Sequence, residues 1–190
     1  SQRRVFPCYF GSALHTEGVE ELLDALESLT EERQYPAKFG AKVYKIGRDE
    51  QGNRLTYLKV TGGSLPVKTV FPELEKINQI RRYSGAKYEM LSEVHAGEVC
   101  AVTGLSDTYP GQGLGAESES DMPILEPVLN YRIELPPDCD VHKMLLNLKE
   151  LEEEEPELHI VWEERLGEIH AQLMGEVQIE ILKSIIWDRF

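Results

Sequence analysis

Apolar and polar positions change rhythm three times along this chain. At the start, VFPCYF (5–10) reads as a short buried strand, with Gly11 as a turn behind it. Val19, Leu22, Leu23, Leu26 and Leu29 then recur at helical spacing and predict one apolar stripe on a helix, which Thr16 is placed to cap. Pro36 closes this unit. One strand and one helix bury no core alone, so residues 1–35 are expected to be the tail of a larger domain.

Residues 37–116 follow a strand rhythm. KVYKI, RLTYLKV, EKINQIRR, KYEML and EVCAVTGL are separated by turn signals at Gln51-Gly52-Asn53, Gly62-Gly63, Ser84-Gly85 and Ala96-Gly97. Short strands at roughly 8–12-residue spacing predict a small all-β barrel or sandwich. Residues 107–123, rich in Gly, Ser, Asp and Pro, read as a linker.

The rhythm changes again over 124–190. EPVLNYRIEL predicts a strand, bounded by Pro136-Pro137. Asp138 or Asp140 caps a helix with Val141, Met144, Leu145, Leu148 and Leu151 on one face. The acidic run Glu152–Glu155, a solvated helix end, and Pro156 stop it. HIVWEERLGEIHAQLM predicts a hairpin turning at Leu166-Gly167, with Arg165 facing Glu168, Trp162 facing Ala171 and Ile160 facing Leu173. A last helix after Gly175 is expected to turn Val177, Ile181, Ile185 and Ile186 inward. The order β-α-β-β-α is a ferredoxin-like α+β domain that lacks its final strand. Both ends of the chain are therefore expected to be cuts in something larger.

Charge sharpens this division. The net charge is −14, which opposes RNA binding if spread evenly. It is not: residues 37–100 hold 11 basic and 7 acidic side chains, whereas 117–190 hold 6 basic and 19 acidic. Only the middle segment suits phosphate. Its Lys45, Arg48, Arg54, Lys59, Arg81, Arg82 and Lys87 interleave with Tyr44, Tyr57, Tyr83 and Tyr88, a pattern able to track a nucleic-acid backbone, although charged strands also serve solubility.

Other chemistry is sparse. Cys8, Cys100 and Cys139 are scattered, with no CxxC pair, and predict neither a disulfide framework nor a zinc site. A reducing, cytoplasmic setting is the simplest expectation. No apolar run approaches the roughly 20 residues that span a bilayer. His159, Glu163 and His170 share the outer face of the predicted hairpin, where an exposed polar face accounts for them and no metal is expected. The phosphate-loop pattern GxxxxGK[ST] is absent, and Gly111–Gly115 lacks its Lys, so no catalytic residue and no GTP hydrolysis are assigned to this chain.

In combination the motifs resemble translational GTPases of the elongation factor G and tetracycline-resistance (ribosomal protection) type. FGSALHTEGVEELLDAL resembles the end of their G domain, where Ser12, Ala13 and Leu14 match the last guanine-recognition motif. KVYKI, RLTYLKVTGGSL and HAGEVCAVTGL resemble the barrel that follows, with Lys59 and Thr61-Gly62 departing from the usual Arg and Tyr-Ser and Pro110–Leu114 from the usual GDTL-like ending. EPVLNYRIEL and LMGEVQIEIL resemble the small third domain, and Val177-Gln178 is closer to the ribosomal protection proteins than to elongation factor G. The resemblance implies a G-domain remnant at 1–35, a β-barrel at 36–118 and a truncated ferredoxin-like domain at 123–190. It implies a parent that binds GTP and Mg²⁺ and hydrolyses GTP on the ribosome, in drug resistance or in ordinary translation. The barrel would face small-subunit rRNA, with Arg48, Arg54, Lys59, Arg81 and Arg82 as contact candidates. Ribosomal RNA and protein are the expected partners, with no membrane and no DNA. The rival expectation is a freestanding barrel plus ferredoxin-like adaptor that binds protein through its acidic face.

Overall fold

The strand rhythm of the middle segment becomes a mostly antiparallel architecture in the computed structural model, which describes residues 6–31, 33–71, 75–120, 127, 129–155 and 157–190. The chain forms two units, Ser1–Gln34 and Tyr35–Phe190.

In the first unit a short 3₁₀ turn, Ala13–His15, precedes helix α1, Val19–Leu29. The predicted strand does not form over residues 6–10; residue 5 lies outside the described residues. Extended backbone needs a partner to become a strand, and the bridge here is Ser12 with Glu17. Nor does Thr16 cap α1: it closes the 3₁₀ turn in the left-handed region (φ 58°), and Gly18 takes the N-cap position. The predicted leucine stripe exists as a face, but Leu22, Leu23, Leu26 and Leu29 are exposed and only Ala25 is buried.

The second unit begins with a six-stranded sheet in the order β5-β4-β7-β2-β1-β8, built from β1 (Gly40–Arg48), β2 (Arg54–Gly62), β4 (Gln79–Ser84), β5 (Lys87–Leu91), β7 (Val99–Thr103) and β8 (Gly113–Gly115). A second pair, β3 (Ser64–Pro66) with β6 (Glu93–His95), lies between them in sequence. Alternation along β2 sends Leu58 and Val60 inward, where they join Ala41, Val43 and Ile46 of β1, Ile80 of β4, Val102 of β7, Leu65 of β3 and Val94 of β6 in one buried cluster. Each such Leu or Ile contributes about 2 kcal/mol by leaving water. All four predicted turns hold a glycine in the left-handed region: Gly52, Gly63, Gly85 and Gly97. The segment 107–123 is not wholly linker, because Gly113–Gly115 pairs with Gly40–Lys42 as strand β8.

The α+β part follows. Strand β9 (Leu129–Ile133), helix α2 (Val141–Glu154), the hairpin β10 (His159–Glu163) and β11 (Glu168–Leu173), and helix α3 (Glu176–Arg189) succeed one another. The sheet order is β10-β11-β9. Asp140 caps α2 by accepting from the backbone N–H groups of His142 and Lys143. Its predicted stripe packs inward, with Leu148 and Leu151 buried against Ile160, Ile169, Ala171 and Leu173.

Two expectations need correction. The hairpin register is shifted by two: Glu163 pairs with Glu168, Trp162 with Ile169 and Ile160 with Ala171. Residues 164–167 form a longer connection in which the Leu166 and Gly167 N–H groups both donate to the Glu163 carbonyl and Gly167 supplies φ 64°. A shift of two preserves the faces, since side chains alternate with period two. In α3 the inward residues are Ile179, Leu182, Ile185 and Ile186, whereas Val177 and Ile181 are exposed. That helix is apolar on several sides, so its pattern did not single out one face. The predicted stop at Pro156 lies outside the described residues.

Candidate nucleic-acid interface

Strand register brings Tyr57, Tyr83 and Tyr88 together with Lys45, Lys59 and Arg81 on the outer face of the six-stranded sheet. Lys45 stands opposite Tyr57, Tyr57 opposite Ala101, Ala101 opposite Arg81 and Arg81 opposite Met90, so a single row crosses five strands. Residues directly opposite share a face. The neighbouring row holds Lys42, Lys59 and Val99, and Tyr83 stands opposite Tyr88 at the edge.

Tyr44 reaches this face through a bulge. The β1–β2 register slips between Val43 and Lys45. There the Val43 backbone turns to the next loop, donating to the Gln112 carbonyl at 2.9 Å and accepting from the Gly111 N–H at 2.8 Å. An extra residue at a bulge re-aims its side chain. Tyr44, Tyr57, Tyr83 and Tyr88 then form a tilted ladder with ring centroids 6.1, 6.1 and 5.3 Å apart, a spacing typical of favourable aromatic pairs. The end members Tyr44 and Tyr88 are each 48% exposed. The Arg81 guanidinium lies 4.5 Å from the centre of the Tyr88 ring. Burial, then the neighbouring Tyr83 and Tyr44, holds the Tyr57 hydroxyl above its ordinary pKa.

The predicted contact residues separate into three groups. Lys59 lies on the outer face, with its ammonium on the Gly97 carbonyl. Arg81 is on the same face but buried, its Nη1 donating to Asp49 at 2.9 Å and its Nε and Nη2 to Gln79. Arg82 belongs to the opposite face and bridges Glu89 at 2.6 Å and Glu98 at 2.9 Å.

Arg48 and Arg54, opposite one another at the end of the β1–β2 hairpin, face the acidic end of α2. Arg54 Nε meets Glu153 at 3.1 Å, while its Nη atoms donate to Leu105 and Thr108. Arg48 lies 3.4 Å from Glu150, 3.4 Å from Glu153 and 3.7 Å from Glu154. The run at 152–155 is therefore not simply a solvated helix end: Glu154 is 9% exposed and also pairs with Arg189 at 2.9 Å. No sequence signal joins residues about a hundred positions apart. An open cleft of about 470 Å³ lies beside Arg54 and Arg81, lined also by Gln51, Asn53, Asn78 and Gln79. Most of the donors of both arginines are already committed to protein acceptors.

The other candidates lie apart from this face. Ser12 and Glu17 exchange backbone hydrogen bonds at 3.0 and 3.2 Å, which occupies the Ser12 amide, and Ala13 and Leu14 are exposed on the 3₁₀ turn. In the α+β part His170 lies 3.1 Å from Glu168, whose carboxyl Arg132 chiefly holds below the ordinary glutamate pKa, opposed by burial and aided to a lesser degree by His170. His159 is opposite Gln172 and shares a face with His170, one diagonal step away in the register. Among the described residues no three His, Cys, Asp or Glu side chains gather as a metal site, and no helix is long and apolar enough to cross a membrane.

The architecture is thus a β-rich part with a basic, aromatic outer face, followed by a small α+β part. No protein-family model matches the chain. Its fold is similar to that of a Thermus thermophilus protein known from a crystal structure, with a TM-score of 0.69 over 90% of this chain at 21% sequence identity. This chain spans 28% of the length of that one.

Proposed function

We propose that this chain is the ribosome-docking middle portion of a GTP-binding translation factor of the elongation factor G and ribosomal protection type. In this reading residues 1–35 end a G domain, 36–118 form the β-barrel second domain, and 123–190 form most of a ferredoxin-like third domain. GTP and Mg²⁺ belong to the remainder of the parent, because the phosphate-loop pattern is absent from this sequence. The setting is cytoplasmic.

The observation that carries the reading is the outer face of the six-stranded sheet, where Lys42, Lys45 and Lys59 share the face of the tyrosine ladder, Lys42 lying 3.8 Å from Glu117. Lysines answer phosphates and half-exposed rings answer bases. This face belongs to the one stretch of the chain with a positive balance. The barrel reading is supported by a core shared between the six-stranded sheet and the β3–β6 pair. The ferredoxin-like reading is supported by the β10-β11-β9 order with helices after β9 and β11.

Co-sedimentation with purified small ribosomal subunits tests the proposal. The wild-type chain is expected to pellet with the subunits in a salt-dependent manner, and the triple variant K42E/K45E/K59E to bind on the order of tenfold more weakly with a shallower salt slope. Equal pelleting of the two proteins refutes an RNA-facing role for this sheet.

A further inference from the structure

Helix α2 ends against its own electrostatics. Glu150, Glu153 and Glu154 lie three and four residues apart on one face, where like charges repel. They also occupy the negative end of the helix dipole, and the last turn contains no basic residue. What offsets this charge comes from elsewhere in the chain: Arg48 and Arg54 from the β1–β2 hairpin and Arg189 from α3.

The two kinds of contact differ in quality. Arg189 grips Glu154 with two hydrogen bonds, at 2.9 and 3.0 Å. Arg48 has longer contacts, at 3.4, 3.4 and 3.7 Å, and its buried Nε has no hydrogen-bond partner among the described residues. Arg48 thus has one long hydrogen bond, from Nη2 to Glu153 at 3.4 Å, while Glu150 and Glu154 attract its Nε by charge alone. Glu150 and Glu153 are half-exposed, so their hold on Arg48 is open to salt and to a competing polyanion.

We propose that the acidic end of α2 is a displaceable cover. In the free protein it masks Arg48 and the Nε of Arg54, whose Nη atoms stay on Leu105 and Thr108, and RNA phosphates displace it and take over these two positions. The proposal rests on the ribosome-docking reading and adds its regulation: the second half of the chain competes with RNA for the first. The side chains of Arg48 and Arg54 are 18% and 14% exposed with the cover in place, which leaves little room for a phosphate to join the carboxylates.

The test compares binding of small ribosomal subunits by four proteins. These are the wild-type chain, E153Q, E150Q/E153Q/E154Q, and the control E163Q/E164Q/E176Q, which removes three negative charges elsewhere. The cover variants are expected to bind more tightly, on the order of tenfold for the triple, with a log–log salt slope steeper by about two as two more phosphates are neutralised. Should the triple variant fail to fold by circular dichroism, E153Q alone carries the test, with a gain of about threefold. If the wild type binds and neither cover variant binds more tightly than the control, the cover is overturned while the docking reading stands. If none of the four proteins binds, the docking reading falls and takes the cover with it.

Discussion

Tyr57 and Tyr83 stand on strands separated by β7, yet their ring centroids are 6.1 Å apart. Two strand spacings amount to about 9.6 Å, so the rings lean together over the strand between them. They can do so because the residue beneath is Ala101, which is opposite both Tyr57 and Arg81 and fully buried. The prediction is that Ala101→Leu forces the rings apart. Denaturant unfolding should show a loss of about 1–3 kcal/mol from overpacking, accompanied by a changed tyrosine signal in near-ultraviolet circular dichroism. Ala101→Gly should leave the tyrosine signal in place.

Asp49 ties the same face to the β1–β2 hairpin. Its Oδ1 accepts from the Gln51 and Asn53 backbone N–H groups at 3.0 and 2.9 Å, and its Oδ2 accepts from Asn53 Nδ2 and Arg81 Nη1 at 3.1 and 2.9 Å. Burial alone would raise its pKa, but these hydrogen bonds together outweigh it and hold the carboxyl at about 2. The folded value lies below the ordinary ~3.9, so Asp49 contributes stability that is fully present above about pH 4 and lost as pH falls toward 2. Asp49→Asn should lose about 2 kcal/mol at neutral pH, because Arg81 keeps a weaker acceptor in a buried place. It should also show a shallower decline of melting temperature between pH 4 and pH 2 than the wild type. A decline identical to wild type would contradict this role.

The thiols should react unequally. Burial, with a smaller contribution from Glu98, raises the Cys100 pKa to about 12, whereas Cys8 is exposed. A disulfide reagent at pH 8 should modify Cys8 promptly in the native protein and reach Cys100 only after unfolding. Prompt reaction of Cys100 would place it outside the core assigned to it.

The sequence made the strands of the middle segment legible because Leu58 and Val60 alternate with Tyr57 and Lys59, and α2 because its stripe coincides with a capping aspartate. Other features depend on partners distant in sequence. Gly113–Gly115 has no alternation of its own and becomes a strand only because β1 offers an edge. The hairpin of β10 and β11 was legible as to face but not as to register, since a connection of two residues and one of four give the same alternation. The tyrosine ladder was visible as composition. That Lys45, Tyr57, Arg81 and Met90 form one row required the strand order, in which β7 separates β2 from β4. Arg48 and Arg54 read as free cations in the sequence because Glu150, Glu153 and Glu154 occur about a hundred residues later.

Photocross-linking from the aromatic face asks whether that face meets RNA. A benzoylphenylalanine placed at Tyr88, at the exposed end of the ladder, is to be irradiated in the presence of small ribosomal subunits beside a control at Val161 on the α+β sheet, both sites being partly exposed. Cross-links to small-subunit RNA are expected from position 88, reduced in K42E/K45E/K59E, and none to RNA from position 161. Cross-links from position 88 to protein alone, or to RNA equally from both positions, would contradict an RNA-facing role.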